Sequence, residues 1–258
     1  MKILFFGDIV GRPGRAAAKT FLTNHVIDEY DLIIANGENA AGGNGLTLQV
    51  AEELYGFGID CITLGNHAWD KKEIVTFLGN EKRLVRPANY PPGTPGNGYT
   101  ILNSRHDDKV AVLNLMGRVF LANLDCPFRV AEHVIKEIKQ VTNKIIVDFH
   151  AEVTSEKIAL GWFLDGQVSA VLGTHTHVQT NDYRVLPKGT AYITDVGMTG
   201  PRNSVLGVKP ELAIQKFLTQ MPVRFEVANG ATQVNAMVLE LDEHGKAKSI
   251  TAINEIFE

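Results

Sequence analysis

The sequence predicts an α/β protein built as a four-layer α/β/β/α sandwich of two mixed sheets. Short apolar runs alternate with helical patterns through the first half, as in βαβ units. Hairpin signals appear in the second half, at residues 99–115 and 234–253. A single parallel sheet accounts for the first feature but not the second. Two sheets packed face to face, with helices outside both, accommodate both. The third observation is chemical: Asp, Glu, Asn and His follow five of the apolar runs. A length of 258 residues suits one domain spanning 1–258.

The elements follow in order. Residues 2–6 read as a buried strand, and 7–14 as a loop with three glycines, Arg12 and Pro13. Ala17, Ala18, Phe21, Leu22, Val26 and Ile27 have helical spacing and predict a helix over 16–30. Strand two covers 31–35, and a close-approach loop rich in glycine covers 40–45. Thr47 is placed to cap a helix through Leu54. Strand three covers 60–64, and a short helix covers 71–78. Four prolines and three glycines make 87–98 a loop, read as a hinge between two halves of the fold. Strands at 99–103 and 110–115 flank a charged turn. A helix over 129–139, a strand over 144–149, a helix over 155–164 and strands over 168–172 and 190–194 follow. Residues 195–207 read as a long loop whose Arg202 is an exposed loop arginine, and 211–218 as a helix. Strands at 234–241 and 247–253 close the chain as a hairpin.

Composition narrows the class. A hydrophobic content of 45% is ample for a core. Lys plus Arg is 25 and Asp plus Glu is 29, a net charge of −4, which argues against a stable nucleic-acid partner bound through its phosphates. Small anionic substrates fit if a metal supplies positive charge. Cys61 and Cys126 sit among apolar residues and read as reduced core cysteines. The N-terminal apolar run stops at Gly7-Asp8, too short for a secretory signal, and no run reaches membrane-spanning length. The expectation is a cytoplasmic protein with no membrane partner and with homo-oligomerisation left open.

The chemistry-bearing stretch is Gly173-Thr174-His175-Thr176-His177, just after an apolar run. Histidines at i and i+2 beyond a strand can aim both imidazoles into one cleft, and such a pair is half a metal site. The remaining parts lie beyond other runs: Asp8, Glu38 with Asn39, Asn66 with His67, and His150. Ligands of open α/β sheets gather outside the carboxyl ends of strands, and this set is what a two-metal hydrolytic centre requires. A lone His after a strand is more often a packed or capping residue than a ligand. Of the eight histidines, His25 and His133 lie in helical patterns and His106 and His244 in charged turns, so these four are read as structural.

The ordered motifs Gly7-Asp8, Asn36-Gly37-Glu38-Asn39, Gly65-Asn66-His67, His150 and Gly173-x-His175-x-His177 resemble those of the calcineurin-like metallophosphoesterases. Two positions depart from the general pattern: Val10 stands where Asp-x-His has its His, and Glu38 where the bridging acid is Asp. Both departures, with the Gly7-Asp8-Ile9-Val10-Gly11-Arg12-Pro13-Gly14 stretch, are similar to the YmdB-like phosphodiesterase branch. That branch implies cyclic nucleotides as substrate class, notably 2′,3′-cyclic ones.

The resemblance implies Asp8 and His177 at one metal, with Asn39 as an oxygen donor beside them. Asn66, His150 and His175 then hold a second metal, with Glu38 bridging the two. Oxygen and imidazole donors without thiolate suit Fe or Mn, with Zn as the alternative. Two ions roughly 3.5–4 Å apart acidify a bridging water and clamp phosphate for in-line attack. His67, next to a ligand, is assigned as general acid for the leaving oxygen, with a role in orienting a ligand as its rival. The expected substrate is a small phosphodiester. A phosphomonoesterase of the same fold and a metal-stabilised regulatory or RNA-associated protein are the competing readings.

Overall fold

The computed structural model of the chain describes residues 1–25 and 27–258. The chain opens with β1 (Lys2–Phe6), β2 (Asp8–Ile9), α1 (Gly11–Asn24) and a 3₁₀ turn at Ile27–Glu29. It continues through β3 (Leu32–Asn36), α2 (Leu48–Gly56), β4 (Cys61–Thr63), α3 (Ile74–Leu78) and β5 (Leu84–Val85). Next come β6 (Tyr99–Asn103), β7 (Lys109–Met116), α4 (Pro127–Ile138), β8 (Ile145–His150), α5 (Thr154–Leu164) and β9 (Ala170–Thr174). The last elements are β10 (Arg184–Val185), β11 (Ala191–Ile193), β12 (Met198–Pro201), α6 (Pro210–Thr219), β13 (Thr232–Leu241) and β14 (Ala247–Phe257).

Two mixed sheets form, as expected. One has the order β2-β12-β13-β1-β3-β4-β5 with β14 added on β13, and the other the order β10-β11-β9-β8-β7-β6. In the first, β1, β3, β4 and β5 run parallel; in the second, β7, β8, β9 and β11 do. The period of two along β1 explains the layering. Ile3 and Phe5 point between the sheets and meet the cluster that holds Val112, Ile146 and Leu172. Leu4 and Phe6 point the other way, into the layer with Phe21 of α1 and Leu54 of α2. On the far side of the second sheet, Leu113 and Val147 pack with Ile135 of α4 and Leu160 of α5. Strands buried on both faces read as continuous apolar runs, which is why they were visible in the sequence. The Thr47 cap forms, its hydroxyl accepting from the Val50 N–H at 3.2 Å.

Several boundaries differ from the sequence expectation. Helix α1 begins at Gly11, within the stretch expected as a loop, and ends at Asn24. The glycines that suggested a loop serve packing instead: a Cβ at Gly14 would collide with the Thr199 carbonyl oxygen of β12. Val26, included in the expected helix, lies outside the described residues. The stretch 195–207 contains β12, paired with β13 and the two-residue β2. These partners are remote in sequence, and no local periodicity announces them. Strands β2, β5 and β10 are two residues each, too short for a pattern. The loop over 87–98 carries the chain from one sheet to the other and is tied down, not free to hinge. The Arg86 guanidinium donates to the carbonyls of Pro87, Thr94 and Pro95 at 2.8, 3.1 and 3.2 Å. Cys61 is buried and free as expected, whereas Cys126 is half-buried at the start of α4. Among the described residues no helix is long and apolar enough to cross a membrane.

Candidate metal centre

The parallel strands of both sheets end on one edge. Pairings Asn36↔Thr63 and His150↔Thr174 set the ends of β3, β4, β8 and β9 in register. The residues just beyond them therefore converge, and all eight side chains singled out from the sequence meet at one cleft. Asp8, Glu38, Asn39 and His150 are buried, while Asn66, His67, His175 and His177 line the opening. A Cβ at Gly65 would strike both the His150 ring and Glu38, so only glycine lets these donors approach.

The donors fall into two groups that share Glu38. In the first, His150 Nε2 lies 2.8 Å from Asn66 Oδ1, 3.0 Å from His175 Nδ1 and 3.1 Å from Glu38 Oε1. In the second, His177 Nε2 lies 3.7 Å from Asp8 Oδ1. The Asn39 amide adjoins them, its Nδ2 3.2 Å from His177 Nε2 and donating to Glu38 Oε1 at 3.3 Å, so its N–H and not the oxygen implied by the resemblance faces Glu38. Ligands about 2.1 Å from one ion and at right angles to each other stand about 3 Å apart, which is the spacing of the first group.

Hydrogen bonds on the outer ring nitrogens decide what faces inward. His150 Nδ1 is 3.0 Å from Thr174 Oγ1, whose own proton goes to Asp148 Oδ1 at 2.7 Å. His175 Nε2 is 2.9 Å from Glu152 Oε2, and His177 Nδ1 is 3.0 Å from the Leu206 carbonyl. Each outer nitrogen therefore carries a hydrogen, and each inner nitrogen faces the cleft, where it offers a lone pair once deprotonated. Two imidazole nitrogens and a carboxylate oxygen about 3 Å apart need a proton or a metal cation among them, since their lone pairs repel. Asp8 Oδ1 adds to the demand, being buried and without a hydrogen-bond donor among the described residues. The residues present thus fit a cation-binding centre.

The same acids act on the titratable groups, with a proton at His150 answering their charge. Burial disfavours a charged His150, yet Glu38, Asp8 and Asp148 outweigh it and hold the ring's pKa up at about 9. Burial would raise Asp8 and Glu38, but His177 holds the first down and His150 the second. His175 is lowered by burial and by its neighbour His150. Burial raises Asp148 to about 6 even though Thr63 and Thr174 donate to it.

The backbone carrying the histidine pair is strained. His175 and His177 have φ values of 103° and 64°, a region that β-carbon sterics make costly. Three buried charges hold it there. Asp8 Oδ2 accepts from the His175 N–H at 3.1 Å, and Asp195 Oδ2 from the Thr176 N–H at 2.9 Å. Lys157 Nζ donates to the Thr174 carbonyl at 2.8 Å and to Asp195 at 2.6 Å. Lys157 and Asp195 are 1% and 0% exposed, so removing one partner strands the other's charge away from water. Lys157→Met is expected to destabilise the fold by about 3–5 kcal/mol. Urea denaturation checks this, and a loss below about 1 kcal/mol, the range of a surface pair, would contradict it.

His67 stands at the rim. Its N–H donates to Glu38 Oε2 at 3.0 Å, and its Nδ1 is 2.8 Å from Asp70 Oδ2. Asp70, Asp148, Glu152 and Thr174 were not singled out from the sequence as site residues. Asp70 had a signal, three residues after His67, and Glu152 follows His150 by two. Thr174 and Asp148 act through a buried network joining both sheets, with Asn36 Nδ2 donating to Asp148 at 3.1 Å, and single-sequence spacing does not reveal it. The other four histidines lie elsewhere: His25 ends α1, His133 pairs with Glu137 within α4, and His106 and His244 sit in turns beside acids. Arg202 is exposed.

Comparison with known proteins adds to this geometry. The family model described as YmdB-like protein matches residues 4–253. The chain is 52% identical over 248 residues to the 2′,3′-cyclic-nucleotide 2′-phosphodiesterase of Bacillus subtilis (strain 168), covering 95% of this chain and 93% of that one. A solved structure of a hypothetical protein from Thermus thermophilus superposes with a TM-score of 0.94 at 44% identity, covering 99% of each chain. That of a novel phosphatase from Mycoplasma pneumoniae superposes with a TM-score of 0.93 at 38% identity, covering 99% of this chain and 93% of that one.

Proposed function

The chain belongs to the YmdB-like family, and from that premise we propose that it is a dimetal phosphodiesterase acting on cyclic nucleotides, 2′,3′-cyclic ones above all. The carrying observation is the set of three imidazoles whose outer nitrogens are all engaged and whose inner nitrogens converge with Glu38 and Asp8. Asp8, Asn39 and His177 would hold one ion, Asn66, His150 and His175 the other, and Glu38 would be shared between them. Oxygen and imidazole donors without thiolate favour Fe or Mn, with Zn the alternative. Two ions, when bound, supply the charge that clamps a phosphodiester and acidifies water.

The chain's own residues do the rest. The cleft around Glu38, His67 and His177 encloses about 480 Å³, a volume suited to a nucleotide-sized ligand. His67 gives its proton to the leaving ribose oxygen. Asp70 accepts from Nδ1–H, which orients the ring and leaves Nε2 to face the leaving oxygen. Buried Thr174 and Asp148 keep His150 in the tautomer that faces Nε2 inward.

Steady-state turnover of 2′,3′-cyclic AMP against 2′-AMP and 3′-AMP tests the substrate class. The expected kcat/KM for the cyclic diester exceeds that for either monoester by at least about tenfold, 1.4 kcal/mol in barrier. Faster hydrolysis of the monoesters would make the protein a phosphomonoesterase. Absence of turnover on all three, with metal bound, would make it a regulatory protein.

A further inference from the structure

The cleft has a second lobe that the metal chemistry does not use. It has a volume of about 430 Å³ and shares Gly43, Asn44, His177, Leu206 and Val208 with the metal lobe, so the two adjoin, with His177 lining both. Its other walls include Val10, Val227 and Phe225, with Arg224 and Lys71 at the edges. Phe225 is 52% exposed, a large ring left facing solvent beside a catalytic cleft.

That ring is not on a loose loop. Val208 and Val227 form a β-bridge, and the Ala228 N–H donates to the Gly207 carbonyl at 2.9 Å. The Lys209 N–H donates to the Glu226 carbonyl at 3.0 Å, and Lys209 Nζ pairs with the Glu226 carboxylate at 2.6 Å. The backbone beside Phe225 is thus fastened to the segment that carries Leu206 and Val208. The salt bridge also occupies the acid in this lobe, leaving Arg224 and Lys71 as its cations. Val10 contributes a methyl surface to this wall.

We propose that this lobe is the nucleobase subsite and that Phe225 is the face on which the base stacks. The inference rests on the cyclic-nucleotide reading of the metal lobe. A cyclic phosphate held at the metals carries its base on the far side of the ribose, within reach of an adjoining lobe. Aromatic stacking accepts any base, because each has a π-face, and a guanidinium edge adds to it. The subsite therefore binds purine and pyrimidine nucleotides alike and acts through affinity, not through the bond-breaking step.

Two substrates separate the subsite from the chemistry: 2′,3′-cyclic AMP, and the 2′,3′-cyclic phosphate of methyl riboside, which has the same reacting atoms and no base. Phe225→Ala is expected to raise KM for 2′,3′-cyclic AMP about tenfold, the loss typical of one removed stacking partner. Its kcat, its melting temperature and its kcat/KM on the base-free substrate should stay at wild-type values, and Phe225→Trp should restore the lower KM. Equal losses on both substrates, or no loss on either, would overturn the subsite while leaving the phosphodiesterase reading intact. If the wild-type enzyme hydrolyses neither substrate, that reading fails and the subsite falls with it.

Discussion

Glu38→Ala is expected to release both metal ions and to lower turnover by more than the ~10–100-fold typical of losing an outer-sphere residue. Oε1 is 3.1 Å from His150 Nε2 in one donor group and accepts from the Asn39 amide at 3.3 Å beside the other. Its loss removes a ligand from each ion and leaves two cations to repel without an intervening negative charge. It also takes away the acceptor of the His67 N–H, loosening the segment that carries Asn66. His177→Ala removes a donor from one group alone and is expected to retain the ion at His150 and His175. Metal analysis of the two variants checks the contrast. A Glu38→Ala protein that keeps both ions, beside a His177→Ala protein that keeps neither, would reverse the assignment.

The residues that were legible in sequence share a position. Asp8, Glu38, Asn66, His150 and His175 each follow an apolar run, and a parallel strand buried on both faces is the element most visible as such a run. Parallel strands also place their carboxyl ends on one edge, so a list of strand ends is already a list of neighbours. The supporting residues were hidden for the same reason in reverse. Asp148 lies inside β8, and its partners Asn36, Thr63 and Thr174 come from three other strands. Lys157 reads as an ordinary helical lysine until α5 buries it against Asp195. The positive φ at His175 and His177 was equally invisible, since spacing alone describes an extended strand, not the kinked turn that sends the two rings to different donor groups. In the fold, β12 was missed because its partners β2 and β13 are distant in sequence. The start of α1 was missed because glycines chosen for close packing resemble glycines chosen for a turn.

His67→Ala is expected to keep both ions and most of the stability while lowering kcat on 2′,3′-cyclic AMP by about 10²–10⁴-fold. The ring is part-exposed, paired with Asp70 and outside both donor groups, so little packing is lost with it. A ribose alkoxide is strongly basic and must be protonated as it leaves, whereas p-nitrophenolate is stable without a proton. The loss on bis(p-nitrophenyl) phosphate should therefore be far smaller. In barrier terms the difference between the substrates approaches about 3–5 kcal/mol, the whole contribution of a general acid. Asp70→Asn should fall between wild type and His67→Ala on the cyclic substrate, since it keeps the imidazole but loosens the contact that orients it. Parallel losses on both substrates, accompanied by weaker metal binding, would make His67 a residue that orients the Asn66 segment instead.

Metal stoichiometry of the wild-type protein, purified without chelator and reconstituted with Mn or Fe, bears most directly on the central claim. Two donor groups sharing Glu38 predict two ions per chain, both lost on chelation and both regained on readdition. A value near zero that reconstitution does not raise, or a single ion unaffected by replacing Asp8 or His177, would contradict the two-metal centre.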